Sequence, residues 1–320
     1  MICSAVGVSL LVYWACALSL TVGKIWSTRL DAWTRYGGLR HSEDDTLDQR
    51  KTQRRWGTLS RAQTFRAFYL VAFIWNGALL YHTRLANLCR YSARREQVSC
   101  SCATAYGWVA TLFQVHTLRR LGESYFIHSF TEQKLPLVLT AAGLSFYVSL
   151  PILWVWGRSC CHHHGQCLSD LDLLPALHMR KQSTIPLTLL LICFSAANFA
   201  QFWAHYELAR VRKAHKRPRS HYAVHDAVSC SPKYAIVTRG LFRWSTCPHY
   251  LAEILIYGIL IGYLVVSGCV GLCAALPGMV MLFVATNLGH TAVLSKECLR
   301  RRYPLVEFVQ KRPALVPCLL

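Results

Sequence analysis

The sequence predicts an all-α polytopic membrane protein, a bundle of about seven transmembrane helices. Two observations carry that prediction. The chain is 53% hydrophobic with a positive mean hydropathy of +0.27, yet its formal net charge is +20. Its apolar residues fall into long uninterrupted runs, and its basic residues are sorted into the loops between them. A soluble chain of 320 residues would suggest about two domains, but a soluble core needs no runs of this length. Basic charge in such a chain reports topology first. Its scatter over many loops argues against nucleic-acid binding, which needs one continuous basic face.

Ile2 to Val22 is apolar and uncharged, long enough to cross a hydrocarbon layer of about 30 Å. It has no basic leader and no clear small-residue cleavage site, so it reads as a retained anchor. Lys24 to Arg66 is an Arg-rich loop with an acidic patch from Glu43 to Asp48. The second span is Phe68 to Tyr81, and the third is Ala103 to Leu118, interrupted by Gln114 and His116. Leu135 to Trp156 is the fourth and Ile185 to Trp203 the fifth. Tyr250 to Val266 and Leu272 to Leu294 are the sixth and seventh, joined by a Gly-containing turn. Residues 1–64 therefore form an anchor with a basic loop, and 65–320 the main bundle, whose C-terminal unit starts at about 185.

The loops 23–66, 119–134, 204–249 and 295–320 carry 28 of the 35 Lys and Arg residues, and the loops 82–101 and 157–184 carry 7. That split places the first set in the cytosol, the N-terminus in the lumen and the C-terminus in the cytosol. Six spans would spoil the partition.

Three polar constellations fall at span ends on the cytosolic side. In VHTLRRLGE, His116, Arg120 and Glu123 recur at i, i+4 and i+7 on one helical face. In QFWAHYELARVRK, Gln201, His205 and Arg212 share a face where the fifth span leaves the membrane. Pro248 suits the first turn of a helix, and His249 and Glu253 then stack one turn apart. An acid at a span costs about 2.5–3.5 kcal/mol on insertion scales unless it has a partner, so Glu253 reads as functional. Snorkelling is the plain alternative for Arg120 and Arg212. The convergence of amide, imidazole, guanidinium and carboxylate on one side favours a large anionic cofactor, with Arg clamping phosphate. No G-x-G-x-x-G after a strand and no Walker A sequence is present, so helices would hold the nucleotide.

RGLFRWSTCPHYLAEI, with the C-terminal KRPALVPCLL, resembles the C-terminal domain of the steroid 5α-reductase family. FYLVAFIWNGALL, HTLRRLGE and QFWAHYELARVRK resemble its polyprenol reductase branch, over roughly Phe65 to Leu320. The resemblance implies NADPH held inside a seven-helix bundle open to the cytosol, in the endoplasmic reticulum membrane. It implies cofactor contacts at Arg120, Gln201, His205, Arg212, Tyr234, His249, Glu253 and Arg312. The implied substrate is a polyisoprenoid lipid, with no nucleic acid and no obligate protein partner. The implied reaction saturates the α-isoprene C=C bond of a polyprenal or polyprenol, a step of dolichol synthesis that supports protein N-glycosylation. An isolated alkene accepts no hydride, which favours the enal. Developing charge on its carbonyl oxygen needs a donor, for which His116 and then Lys296 are the candidates.

The chain departs from the family in several places. Thr117 stands where steroid reductases carry a proton-donating Tyr, which argues against a 3-oxo-steroid substrate. AVLSKECL puts Lys296 and Leu299 where His and Tyr are usual. Ala235 and Pro313 replace a common Arg and Lys. Membrane methyltransferases of isoprenylated cysteine and phospholipid, which use S-adenosylmethionine, share a related C-terminal segment. Cys247 replaces its Arg here, and those enzymes lack the upstream HTLRR. A transporter or scaffold would carry polar groups across the bilayer, not at one side.

Cysteines inside apolar runs (Cys16, Cys193, Cys269, Cys273) read as small hydrophobes. CCHHHGQC, Cys160 to Cys167, has residue types that suit zinc but no finger spacing, so no metal site is assigned. On this topology it faces the lumen with Cys89, Cys100 and Cys102, where disulfides form.

Overall fold

The computed structural model describes residues 2–26, 57–93, 101–130, 134–163, 184–216 and 236–315. Among them are seven long helices: α1 (Ile2–Trp26), α2 (Arg61–Ala93), α3 (Ser101–Phe126), α4 (Leu137–His163), α5 (Thr184–Lys216), α6 (Pro248–Val266) and α7 (Leu272–Arg302). A short α8 (Glu307–Lys311) follows. Five are long and apolar enough to cross a membrane: Ala5–Trp26, Leu137–Cys161, Leu187–Ala214, Pro248–Val266 and Leu272–Arg302. α2 and α3 are not among these five.

Several helices outrun the apolar stretches that announce them. α5 continues thirteen residues past Trp203, to Lys216, and α7 extends beyond Leu294 to Arg302. Backbone hydrogen bonding has no reason to stop where lipid stops. A polar helical extension carries its own ion pairs, as Glu297 does with Arg301 at 2.7 Å. Two short strands were not expected. β1 (Thr58–Ser60) pairs antiparallel with β2 (Lys134–Pro136), Leu59 opposite Leu135. This clip holds the start of α2 beside the start of α4.

Packing follows a simple plan. α2, α3 and α4 contact one another, α5 packs on α6, and α6 packs on α7. α1 lies against α7 and α4, and α3 meets α6. The core is aromatic and aliphatic, with Trp14, Tyr106, Phe113, Leu150, Leu153, Trp154, Ile256 and Leu260 almost wholly buried. Small residues permit the closest approach. A Cβ at Gly157 of α4 would sit 2.3 Å from Cζ of Tyr106, and that ring is pinned by its hydroxyl, which donates to the Cys273 carbonyl at 2.5 Å.

The two ends of the bundle differ. At one, Cys102 at the start of α3 is disulfide-bonded to Cys269, in the turn between α6 and α7. Cys269 is thus not the small apolar filler that its surroundings suggested: the turn carries it to the end of α6, where it meets α3. Cys161 Sγ lies 2.7 Å from Cys102 Sγ. Cys89, Cys100 and the rest of CCHHHGQC, from His162 on, lie outside the residues whose side chains are described. The opposite end is polar and holds the residues considered next.

At that polar end the chain returns on itself. Arg312 is buried and donates to the carbonyls of Val237 at 2.8 Å and Phe242 at 2.7 Å. Burial pulls its pKa down to about 10. Thr246 and Cys247 donate their backbone N–H groups to Pro313 and Ala314 at 2.9 and 3.1 Å. Gly157→Ala should destabilise the fold by about 1–3 kcal/mol through overpacking against Tyr106, read as a lowered melting temperature in detergent.

Candidate active site

Each constellation is set by a helix end. Pro248 occupies the first turn of α6 after the N-cap Cys247, and this starts the helix just before His249 and Glu253. Burial pushes the Cys247 thiol up to about 12, so it remains protonated at neutral pH. On α3, His116, Arg120 and Glu123 are all buried, as their spacing predicts. On α5, Gln201 and His205 are 1% and 7% exposed. Buried polar groups need partners, and here they find one another.

Glu123 is the hub. One carboxylate oxygen pairs with Arg119, and the other receives Arg120 at 2.6 Å and lies 2.8 Å from His205 Nδ1. The same His205 nitrogen is 2.7 Å from Arg120 Nη1. Nδ1 can accept from Arg120 or donate to Glu123, but not both, so the tautomer decides which bond forms. His128, just past α3, stands 3.7 Å from Glu123, its ring 4.6 Å from that of His205. Burial lowers the His128 pKa, against the opposing pull of Glu123.

Gln201 joins this hub to α6. Its carbonyl accepts from Arg119 and its amide donates to Glu253. His116 spans the same gap, with Nδ1 3.0 Å from Asn198 Oδ1 and Nε2 3.4 Å from Glu253 Oε1. Two guanidinium groups therefore face two carboxylates in a closed network drawn from α3, α5 and α6. α2 adds Tyr69, whose hydroxyl accepts from Arg120 at 2.5 Å.

Of the residues expected from the sequence, His116, Arg120, Gln201, His205 and Glu253 meet in this cluster. His249 borders it, its ring 5.4 Å from that of His205. Arg212 lies farther along α5, where its charge acts on Arg61 and Tyr250. Arg312 does not join the cluster, because its guanidinium is committed to backbone carbonyls. Lys296, half-buried on α7, makes no hydrogen bond or ion pair with the cluster residues. Tyr234 lies outside the described residues. Tyr69, Arg119, Asn198 and His128 also belong to the site, though their places in the sequence do not single them out. Arg119 had a signal, being one of two adjacent Arg residues on a buried helix. Tyr69 had none, since it sits in an apolar run.

Two buried polar atoms are left without a hydrogen-bond partner at this site: Arg120 Nε and His249 Nδ1. Arg61 and Arg212 have no carboxylate partner among the described residues. Unpartnered nitrogens beside unpaired guanidinium groups suit a ligand that combines anionic groups with hydrogen-bonding groups, as a dinucleotide does.

Removing the hub should cost more than removing a rim charge. Glu123→Ala removes the carboxylate that the buried Arg120 and the half-buried Arg119 share and should destabilise by about 3–5 kcal/mol, read by thermal unfolding in detergent.

No protein-family model matches the chain. It is similar to the polyprenal reductase of Danio rerio, at 27% identity over 281 residues, covering 80% of this chain and 78% of the relative. It is similar to that of Caenorhabditis elegans at 27% over 211 residues, covering 65% and 59%. It is similar to that of Xenopus laevis at 25% over 267 residues, covering 79% and 75%.

Proposed function

We propose that the protein reduces the α-isoprene C=C bond of polyprenal at the expense of NADPH, a step of dolichol synthesis that supports protein N-glycosylation. The reading rests chiefly on one observation. A balanced network from α3, α5 and α6 retains buried nitrogens without hydrogen-bond partners at Arg120 and His249, in a chain similar to polyprenal reductases. We further propose seven crossings of the endoplasmic reticulum membrane, with the N-terminus in the lumen and the polar end of the bundle toward the cytosol. The 28-to-7 division of basic residues supports that orientation.

The residues divide the work by charge. Arg119 and Arg120 are neutralised by Glu123 and Glu253, so this network reads sugar hydroxyls and an amide rather than phosphate. Arg212 lies two turns beyond His205, near Arg61 and closer to water, where a diphosphate would be held. A bound nicotinamide supplies a hydride to the β-carbon of an α,β-unsaturated carbonyl. The protein's part is to orient the enal, exclude water and place a donor at the carbonyl oxygen. A polyisoprenoid tail stays in lipid while its head reaches the end of the bundle, which fits a site at helix ends.

Two alternative substrates are less well supported. Thr117 is fully buried and its hydroxyl donates to the Gln114 carbonyl at 3.0 Å, so it offers nothing to a 3-oxo-steroid. The buried Cys247 thiol supplies no cation for the carboxylate of S-adenosylmethionine.

Detergent-solubilised full-length protein should oxidise NADPH when given polyprenal. Folded protein that oxidises none contradicts the reading. Glu253→Gln should weaken NADPH binding about tenfold or more, measured by fluorescence titration, because a charged hydrogen-bond acceptor is lost. Unchanged affinity would remove Glu253 from the cofactor site.

A further inference from the structure

Tyr69 belongs to α2, the helix that supplies no other residue to the polar network. Its side chain is almost fully buried, and the Arg120 guanidinium lies 4.8 Å from its ring centroid. Tyr147 of α4 packs edge-on against it at 5.7 Å. The hydrogen bond at 2.5 Å runs from Arg120 to the phenol oxygen, because a guanidinium has no acceptor. That bond uses a lone pair of Tyr69 and leaves its O–H proton to give. Among the described residues no group accepts that proton. Beside it, Arg120 Nε is also unpartnered, 4.0 Å from Glu253 Oε2. Two unused buried donors on touching side chains lack an oxygen that a ligand can bring.

Two of the other candidate donors have spent their protons, and the third stands apart from the cluster. His116 has a protein acceptor at each ring nitrogen, Asn198 Oδ1 and Glu253 Oε1. The Thr117 hydroxyl is tied to its own helix. Lys296 has no bond to the cluster.

We propose that Tyr69 is the catalytic donor to the substrate carbonyl, with Arg120 holding the phenol oxygen. This rests on the enal-reduction reading above. The β-carbon receives a hydride and a C–H bond forms there. The π electrons of the C=C bond shift toward the carbonyl, and the Tyr69 O–H bond breaks as its proton passes to the carbonyl oxygen. The phenolate keeps its hydrogen bond from the Arg120 guanidinium, which stabilises it. The enol then takes a proton from water at the α-carbon and returns its O–H proton to Tyr69. The alkene gains a hydride and a proton, and the nicotinamide is oxidised.

The test compares wild-type full-length protein with Tyr69→Phe in detergent or nanodiscs. The variant should lower kcat about 10²–10⁴-fold, with KM and NADPH affinity nearly unchanged. A readout without turnover uses a short isoprenoid enal labelled with ¹³C at the carbonyl, bound without cofactor. Its infrared C=O stretch should move to lower frequency in the wild type and return toward the solution value in Tyr69→Phe. Wild-type kcat in the variant, or the same stretch in both proteins, overturns the role of Tyr69 alone. A wild type that oxidises no NADPH with polyprenal overturns the reductase reading as well. If Tyr69→Phe does not fold, a difluorotyrosine at position 69 keeps the ring's shape. The alkaline limb of its kcat profile should then fall at lower pH, and an unmoved limb overturns the proposal.

Discussion

The buried carboxylate of Glu123, gripped by Arg119 and Arg120, is the interaction on which the rest of the polar end depends. Arg120 could not be buried at this depth, nor Arg119 half-buried beside it, without a counter-ion, and Glu123 could not be buried without them. Once the three are paired, their remaining donors reach outward. Arg119 extends to Gln201 and Asn198 on α5, and Arg120 extends to Tyr69 on α2. Gln201 carries the network on to Glu253 of α6. Four helices are thereby fixed in relation to one another by charged hydrogen bonds, where apolar packing alone would leave their rotation loosely set.

This arrangement also sorts positive charge by its partners. The inner pair of arginines is neutralised and serves as a donor array. The outer pair, Arg61 and Arg212, has no carboxylate partner among the described residues, and the proposed reading assigns its charge to an anion. Arg312, equally buried, belongs to neither class. It spends its donors on the Val237 and Phe242 carbonyls and closes the C-terminal segment over the start of α6. A cation at a conspicuous sequence position is thus no guarantee of a ligand contact, since backbone carbonyls compete for it.

Much of this was legible in the sequence, and the reasons are physical. A residue such as Glu253 ahead of a run of membrane-grade residues has few bland explanations, so it stands out. The i, i+4, i+7 spacing brings His116, Arg120 and Glu123 to one face, and all three are buried together. Arg119 falls off that face by one residue, yet its long side chain folds back to the same centre. Tyr69 gave no signal because a tyrosine in an apolar span is ordinary. Only its neighbour Arg120, distant in sequence, makes it distinctive. Hydropathy marks the spans and not the helix ends, because α5 and α7 run on past the apolar stretch on polar residues. Cys269 was misjudged because its partner lies 167 residues away in sequence.

The most direct measurement is a cryo-electron microscopy map of the full-length protein in nanodiscs with NADPH added. The account requires nucleotide density at the polar end of the bundle, bounded by Arg120, Gln201, His205 and Glu253, with its phosphates toward Arg212. Density elsewhere on the molecule, or a bound nucleotide that touches none of these side chains, would contradict it.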